Sequence, residues 1–330
     1  MSTDRLLQVK NLTIAFDNDD TRQAITTVEN VNFNVHRGEI LCIVGESGCG
    51  KSVTSMAIPR LLPSPPSKIL NGEVLFEGVN LLKLPIKEMR KYRGAKIGVI
   101  FQDPMTALSP LVRIGKQMIE ALLIHNPKTK KKEALALALE WLKKVGIQNP
   151  EVAMNAYPYE LSGGMQQRVM IAMCLILKPQ LIIADEPTTA LDVTIQAQVL
   201  DLMLELHQKD SGMIFITHDM GVVRKMADRV IVMYAGQIVE EAKADDFFAG
   251  PKHPYARALL DALPSHATRG KKLSAIPGQV PSPGNFSKAC RFADRCAHAK
   301  EICFKDAPKL HLNDKHNVRC HFNTNEQELN

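Results

Sequence analysis

The sequence predicts an α/β protein with a largely parallel β-sheet. An apolar run at residues 40–44 is followed by a glycine-rich stretch at residues 45–52 and then by a helical pattern, which gives the order strand, loop, helix. Further short apolar runs occur at residues 96–101, 181–185 and 213–217. Helical patterns separate these runs, as the connections of a parallel sheet require.

The N-terminal residues predict a second, antiparallel sheet. Apolar and polar residues alternate at residues 6–16 and again at residues 27–35, which is typical of antiparallel strands. Residues 51–57 continue from the glycine-rich stretch as a helix, and Pro59 ends or kinks that helix early. We therefore expect an antiparallel β subdomain in addition to the parallel sheet.

Two further regions lack a strand signal. Between residues 105 and 178, helical periodicity at residues 114–125 and 131–145 predicts an inserted helical subdomain. After about residue 263 the composition shifts to Pro, Gly, Lys and Cys, which predicts a loop-rich C-terminal extension. The predicted domains are residues 1–263, with the helical subdomain at about residues 105–178, and residues 264–330.

Composition and charge narrow the class of protein. With 330 residues, 45% of them hydrophobic, the chain can build one large core and an appendage. No apolar stretch reaches the roughly 18 to 20 residues that cross a bilayer, and the N-terminus has no signal-peptide core, so we expect a soluble, cytosolic chain. The net charge is +6, but basic and acidic residues are interspersed along the chain. The short basic run at residues 128–132 indicates a solvated helix start, so no nucleic-acid partner is expected.

The glycine-rich stretch gives the first chemical assignment. Its glycines allow backbone N–H groups to converge on phosphate oxygens, Lys51 places a positive charge beside the β and γ oxygens, and Ser52 offers a hydroxyl to Mg²⁺. The motif therefore predicts a nucleoside triphosphate site. We call this segment the phosphate loop, and its residues are Gly45, Glu46, Ser47, Gly48, Cys49, Gly50, Lys51 and Ser52.

Two later motifs bear on the same chemistry. Asp185 and Glu186 stand where a buried strand ends, and the carboxyl edge of the sheet is where such residues can meet a nucleotide held by the phosphate loop. We expect Asp185 to hold Mg²⁺ through water and Glu186 to orient the attacking water. Ser162, followed by two glycines, predicts a capped helix whose bare first turn addresses a nucleotide on another subunit. Taken in isolation, this motif is better interpreted as an ordinary capped helix.

In this order, the phosphate loop, the turn that begins at Ser162 and the strand that ends in Asp185 and Glu186 resemble the nucleotide-binding domain of ATP-binding cassette proteins. The resemblance implies a P-loop ATP-binding cassette fold and a sandwich, in which the phosphate loop of one domain and the turn of a partner close on each ATP. The residues implied to contact the ATP of the partner subunit are Ser162, Gly163, Gly164, Met165, Gln166 and Asp192. Each motif occurs once, so a partner must be supplied.

Other positions match the family residue by residue. Gln102 resembles the glutamine that senses Mg²⁺ and the attacking water, and His218 resembles the histidine that contacts the γ-phosphate. Phe16 resembles the aromatic residue that stacks on adenine, where the family more often has tyrosine, although a core phenylalanine is the alternative interpretation. The implied catalytic residues are Glu186, His218 and Gln102, and the implied Mg²⁺ ligands are Ser52, Gln102 and Asp185.

Several segments are similar to the ATPase subunits of bacterial dipeptide and oligopeptide importers. They are residues 102–110, 157–160, 232–236, 253–260, 276–278 and 290–296. This similarity implies a peripheral ATPase at the cytoplasmic face of the bacterial inner membrane. Its implied partners are a sister ATPase subunit, two permease subunits and, through the complex, an external peptide-binding protein.

The cysteines raise two separate expectations. Cys49 lies beside Lys51 and a helix start, so we expect its thiolate to be stabilised and its alkylation to block ATP binding unless nucleotide is present. The other group, which we call the tail cysteines, is Cys290, Cys296, Cys303 and Cys320. Their spacing fits no simple structural-zinc pattern, whereas four thiolates suit a [4Fe-4S] cluster, which some relatives carry at the matching cysteines. Cluster, Zn²⁺ and free thiols stay open.

Alternatives also stay open for function. Nickel, glutathione, antimicrobial-peptide and dipeptide systems share these ATPase motifs, so the cargo is not determined by this chain. A soluble cassette ATPase acting on nucleic acid or ribosomes would be expected to have a long coiled coil or a second cassette, and the sequence shows neither. A redox-sensing regulator would use the tail cysteines to set the ATPase rate.

Overall fold

The computed structural model describes residues 5–18, 23–188, 191, 193–262, 276–313 and 316–322. The chain divides into two units, of which the first combines residues 1–82 with residues 216–330 and the second is residues 83–215. Within the described ranges, none of the helices combines the length and the hydrophobicity that a membrane crossing requires.

Strands and helices alternate along most of the described chain. The strands, in chain order, are β1 Arg5–Asp17, β2 Ala24–His36, β3 Ile40–Val44, β4 Ser67–Phe76, β5 Val79–Asn80, β6 Ile97–Ile100, β7 Leu181–Asp185, β8 Gly212–Thr217, β9 Arg229–Tyr234, β10 Gln237–Lys243, β11 Leu310–His311 and β12 His316–Arg319. The helices are α1 Lys51–Ala57, α2 Ile86–Tyr92, α3 Pro104–Ala107, α4 Ile114–His125, α5 Lys131–Lys144, α6 Pro150–Asn155, α7 Gly163–Leu175, α8 Val193–Leu206, α9 Met220–Met226, α10 Ala244–Ala249, α11 Pro254–Asp261 and α12 Glu301–Lys305.

In the first unit, an antiparallel sheet has the strand order β2-β1-β4-β5. Val9 of β1 is paired with Phe33 of β2 and with Val74 of β4, so the predicted antiparallel pair is confirmed. The strand β4 was not predicted, because most of its residues are exposed or half-buried and Asn71-Gly72 interrupts its apolar pattern.

The first unit also contains the strand that leads to the phosphate loop. All residues of β3 are buried, and β3 runs parallel to β9 with Ile43 opposite Ile231. The strands β9 and β10 are antiparallel, and β12 from the C-terminal extension pairs with β10. At residues 276–313 and 316–322 the extension is loop-rich as predicted, but its short strands β11 and β12 were missed because they have two and four residues.

In the second unit, β6 and β7 are parallel, with Val99 opposite Ile183. Their neighbouring segments between residues 105 and 178 contain helices and no strand, which agrees with the predicted helical insertion. The predicted helix at residues 114–125 coincides with α4, and that at 131–145 ends one residue earlier, at Lys144. The proposed boundary at residues 263 and 264 lies outside the described residues and stays a prediction.

Candidate nucleotide site

The phosphate loop of the first unit joins β3 to α1, as the sequence predicted. Gly45 has a φ of 149°, and a Cβ atom added there would lie 2.3 Å from the Met233 carbonyl oxygen, so a side chain cannot be accommodated. Gly50, with a φ of 103°, precedes the first residue of α1. The loop therefore combines close packing against β9 with a left-handed backbone that favours glycine.

The side chain of Lys51 folds back onto the phosphate loop. Its Nζ donates hydrogen bonds to the carbonyl oxygens of Gly45, at 2.7 Å, and Glu46, at 3.0 Å. The residue is only 4% exposed, so the ammonium group is largely removed from water and its charge is available inside the loop. This position suits the predicted contact with phosphate oxygens.

Glu46 is held by Tyr255 and Arg295, two residues that are distant from it in the sequence. Its backbone N–H donates to the Tyr255 hydroxyl at 2.8 Å. Its carboxylate accepts two hydrogen bonds from Arg295, one from Nη1 at 2.7 Å and one from Nη2 at 2.9 Å. These contacts join residues 209 and 249 positions apart in the chain, so no local sequence signal could reveal them.

The expected stabilisation of the Cys49 thiolate is wrong, whereas the effect of alkylation on ATP binding stays a prediction. The thiol is fully buried, and burial raises its pKa, an effect that the nearby Lys51 charge opposes only in part. A raised pKa means that the thiolate is disfavoured at neutral pH, and nucleophilic attack by a thiol requires the thiolate. The structure therefore contradicts a reactive Cys49.

Phe16 lies near the end of β1, paired with Ile25 of β2 and with Ser67 of β4. Its side chain is half-buried, unlike the fully buried apolar residues Ile14 and Ala15 of the same strand. A half-buried aromatic ring keeps a surface available for stacking, which favours the predicted adenine contact over a core position.

In the second unit, β7 ends in the predicted carboxylates. Asp185 is the last residue of the strand and is 6% exposed, whereas Glu186 is half-buried. Glu186 has a φ of 44°, in the left-handed region that non-glycine residues rarely adopt. Such backbone strain concentrates at functional sites, which is consistent with the predicted role of Glu186.

The turn predicted to face a partner opens α7 in the second unit. Ser162 caps the helix, because its Oγ accepts a hydrogen bond from the Met165 N–H at 3.4 Å, so the predicted cap is confirmed. Ser162 and Gly163 are exposed, and Gly164 and Met165 are half-buried. These residues, with Gln166, form what we call the signature turn, residues 162–166.

Gln166 differs from the rest of the signature turn. It is 4% exposed, and its Nε2 donates to the carbonyl oxygens of Pro158 at 2.9 Å and Leu161 at 3.0 Å. The side chain thus supports the turn from inside the unit and does not face solvent. The prediction that Gln166 itself contacts the partner's nucleotide is therefore revised for its side chain.

The remaining predicted residues lie at strand ends. Gln102 is exposed and follows β6 in the second unit, and His218 is exposed and follows β8 in the first unit. Asp103 and Asp219, the residues after each, cap α3 and α9 respectively. Asp192 lies outside the described residues, so its implied contact with the ATP of the partner subunit stays a prediction.

The tail cysteines, all in the first unit, line one cavity together with Phe292 and the histidines His253, His298 and His321. Burial raises the pKa of Cys290 to about 11, and the nearby Cys303, Cys320 and Cys296 add to this effect. In the described part of the chain, no group of three or more His, Cys, Asp or Glu side chains is arranged to hold a metal ion. Four thiols in a shared cavity are the donor type that an iron–sulfur cluster uses, but in the described part of the chain they are not arranged as a metal-binding group.

Comparison with known families agrees with these motifs. Residues 28–189 match the family described as ABC transporter. Residues 239–303 match the family described as oligopeptide/dipeptide transporter, C-terminal region. The second match includes Tyr255, Arg295 and all of the tail cysteines except Cys320.

Curated relatives extend over nearly the whole chain. The oligopeptide transport ATP-binding protein OppD of Bacillus subtilis is 51% identical over 318 residues, which cover 96% of this chain and 88% of that protein. The dipeptide transport ATP-binding protein DppD of Haemophilus influenzae is 47% identical over 323 residues, which cover 98% of this chain and 97% of that protein.

Solved structures show the same fold. The dimeric post-hydrolysis state of the ATP-binding cassette MJ0796, bound to ADP and Pi, has a TM-score of 0.64 and 32% identity, and the match covers 72% of this chain and 98% of that chain. The cassette fold with an antiparallel sheet and helical parts is thereby confirmed. The chain belongs to the ATP-binding cassette family of transporter ATP-binding proteins, carries the C-terminal region of the oligopeptide/dipeptide transporters, and is an ATPase.

Proposed function

We propose that this chain hydrolyses ATP to power the import of dipeptides or oligopeptides. The observation that carries the proposal is the similarity to OppD and DppD over 96% and 98% of the chain, which includes the C-terminal region. The alternative of a soluble cassette ATPase has no such support. In this function the chain is a peripheral subunit on the cytoplasmic face of the bacterial inner membrane and works with two permease subunits and an external binding protein.

The experiment is to purify the assembled membrane complex and to measure ATP hydrolysis with the external binding protein loaded in turn with candidate ligands. Stimulation by dipeptide-loaded or oligopeptide-loaded binding protein supports the proposal. Stimulation only by nickel, glutathione or an antimicrobial peptide would keep the ATPase assignment and replace the cargo. A rate of ATP hydrolysis that none of the loaded binding proteins changes would contradict the import function.

The chemical roles follow from residue type and position. Lys51 would bind the phosphate oxygens and Phe16 would stack on adenine. Ser52, Gln102 and Asp185 are the residues that would hold Mg²⁺ directly or through water. Glu186 orients and polarises the attacking water, and His218 contacts the γ-phosphate. The burial of the Lys51 ammonium supports its role in phosphate binding, and the left-handed backbone of Glu186 supports its role in orienting water.

ATP hydrolysis in this proposal needs two cassettes. The signature turn has an exposed Ser162 and Gly163 at the start of a 13-residue helix, which suits the phosphate of a nucleotide held by a sister subunit. Replacing Ser162 with Arg is expected to leave ATP binding by the purified chain unchanged and to abolish hydrolysis in the complex. Ser282→Arg, at an exposed serine of the extension, is the matched control. Loss of ATP binding in the purified Ser162 variant would contradict the arrangement.

The tail cysteines are the proposed ligands of a [4Fe-4S] cluster, which would supply a redox-active or structural centre when bound. The four thiols of their common cavity support this proposal, and the raised pKa of Cys290 implies that binding releases protons. Iron and acid-labile sulfide are measured on anaerobically purified protein, with Cys296→Ser as the comparison. Zinc without sulfide would indicate a Zn²⁺ site, and neither metal would indicate free thiols.

A further inference from the structure

Glu46, the second residue of the phosphate loop, is fixed at three of its own groups. Its carbonyl oxygen accepts a hydrogen bond from Lys51 Nζ, its N–H donates to Tyr255, and its carboxylate is paired with Arg295. Two of these three partners lie in the region after residue 250 and are not part of the loop. The position of Glu46 therefore depends on the C-terminal region, and the position of Lys51 depends in turn on Glu46.

Arg295 is not a flexible surface side chain. Its Nε donates to the Pro277 carbonyl oxygen at 2.7 Å, and its guanidinium lies 5.7 Å from the ring centroid of Tyr234. The residue is 9% exposed, and its hydrogen bonds to Glu46 raise its pKa, so it stays charged at all physiological pH values. A bidentate pair between a buried guanidinium and a half-buried carboxylate holds its geometry better than a fully exposed ion pair does.

A second arginine of the extension reaches the flank of the same loop. Arg291 donates from Nη1 to the Ala235 carbonyl oxygen at 2.5 Å and also pairs with Glu29. Gly236, which follows Ala235 in the chain, donates its N–H to the Cys49 carbonyl oxygen at 2.9 Å. The extension thus contacts the loop directly at Glu46 and indirectly at Cys49.

We propose that Arg295 is a positioning residue for ATP binding and that it acts through Glu46. Without Arg295, the Glu46 carboxylate would be an uncompensated negative charge beside the site for the ATP phosphates, and its repulsion would weaken binding. Glu46, whose carbonyl oxygen accepts a hydrogen bond from Lys51 Nζ, would also lose one of the contacts that hold it in position.

The test measures the dissociation constant of Mg²⁺-ATP for the full-length chain and its melting temperature. Arg295→Ala is expected to weaken ATP binding by about tenfold, the size expected for a lost charge-assisted contact, and Arg295→Lys by less because it retains the charge. Adding Glu46→Gln to Arg295→Ala removes the uncompensated carboxylate and is expected to restore most of the affinity. The control is Arg319→Ala, at an extension arginine whose Nε donates to the Ile238 carbonyl oxygen at 2.9 Å.

The two kinds of readout separate positioning from stability. If Arg295→Ala and Arg319→Ala lower the melting temperature alike and neither changes ATP affinity, the proposed role is wrong. It is equally wrong if Glu46→Gln fails to restore affinity in the Arg295→Ala background. Should Arg295→Ala not fold, the same comparison is made with Arg295→Lys, for which an unchanged affinity would overturn the proposal.

Discussion

Gln167 of α7 donates its side-chain amide to the Pro187 carbonyl oxygen at 2.5 Å. Pro187 directly follows Glu186, and Gln167 lies in the second turn of the helix that Ser162 caps. The helix that begins at the signature turn thus also fixes the loop that carries the proposed catalytic carboxylate. Gln167 is 1% exposed, so this contact is shielded from water.

Replacing Gln167 with Leu preserves much of the side-chain volume and removes the donor. We expect kcat for ATP hydrolysis to fall by about tenfold, because the Glu186 loop loses its anchor, with little change in ATP affinity. The comparison is Gln148→Leu, at an exposed glutamine of the same unit. Equal kcat values for the two variants would show that Gln167 does not position the loop.

Glu186→Gln is expected to retain ATP binding and to stop turnover, because the water loses its orienting carboxylate while Asp185 and Ser52 remain. The expected loss in kcat is about a hundredfold or more. Rapid-mixing measurement of ATP hydrolysis, with direct measurement of bound ATP, separates the two steps. Glu205→Gln, on the exposed face of α8, controls for the loss of a charge. Normal turnover by the Glu186 variant would remove this residue from the mechanism.

Cys49 is expected to resist alkylation at neutral pH. The pKa of both thiols is raised by burial, but the Cys49 thiol is fully buried whereas Cys296 is half-buried. Mass spectrometry after brief treatment with iodoacetamide is expected to find modification at Cys296 well before Cys49, with ATP binding retained while Cys49 stays unmodified. If Cys49 is labelled rapidly and ATP prevents the labelling, the thiol is reactive and this prediction is wrong.

His253 makes the first unit sensitive to acid. Burial lowers the pKa of His253 to about 3. A histidine with a lowered folded-state pKa contributes full stability above its unfolded pKa of about 6.5, and the contribution is lost as the pH falls below that value. Between pH 7 and pH 5 the free energy of unfolding is expected to fall by about 2 kcal/mol from this group alone.

Urea unfolding at pH 7 and pH 5 measures this loss. The Tyr255 N–H donates a hydrogen bond to His253 Nδ1 at 3.1 Å. The variant His253→Asn removes the titrating imidazole and keeps an acceptor for this N–H. Its unfolding free energy is expected to depend less on pH than that of the wild type, whereas His311→Asn, at an exposed histidine, behaves as the wild type does. An unchanged pH dependence in His253→Asn would rule out this group as the cause.

Local patterns predicted the elements that carry the chemistry. The buried strand β3, the phosphate loop and α1 follow from a short apolar run, the glycines and Pro59, and α4 follows from its helical periodicity. The cap at Ser162 also follows from residue type, because serine is a preferred N-cap residue whose hydroxyl accepts a hydrogen bond from a backbone N–H of the first helical turn. These features depend on neighbours within a few residues.

Features that depend on distant residues were missed. The Arg295–Glu46 pair joins positions 249 residues apart, and neither residue has a local pattern that names the other. The reactivity of Cys49 was misjudged because the charge of Lys51 is visible in the sequence but complete burial is not. Likewise, the burial of Gln166 depends on the backbone carbonyls of Pro158 and Leu161, which only the folded turn brings within reach.

The pairing of β12 with β10 has a consequence for any shortened form of the protein. Glu240 of β10 lies opposite Val318 of β12, and β10 has β9 on its other side. A chain cut before β11 would leave the N–H and C=O groups along one side of β10 without their strand partner, and such bare edges recruit strands from other molecules. A cassette prepared without its last segment would consequently be prone to self-association.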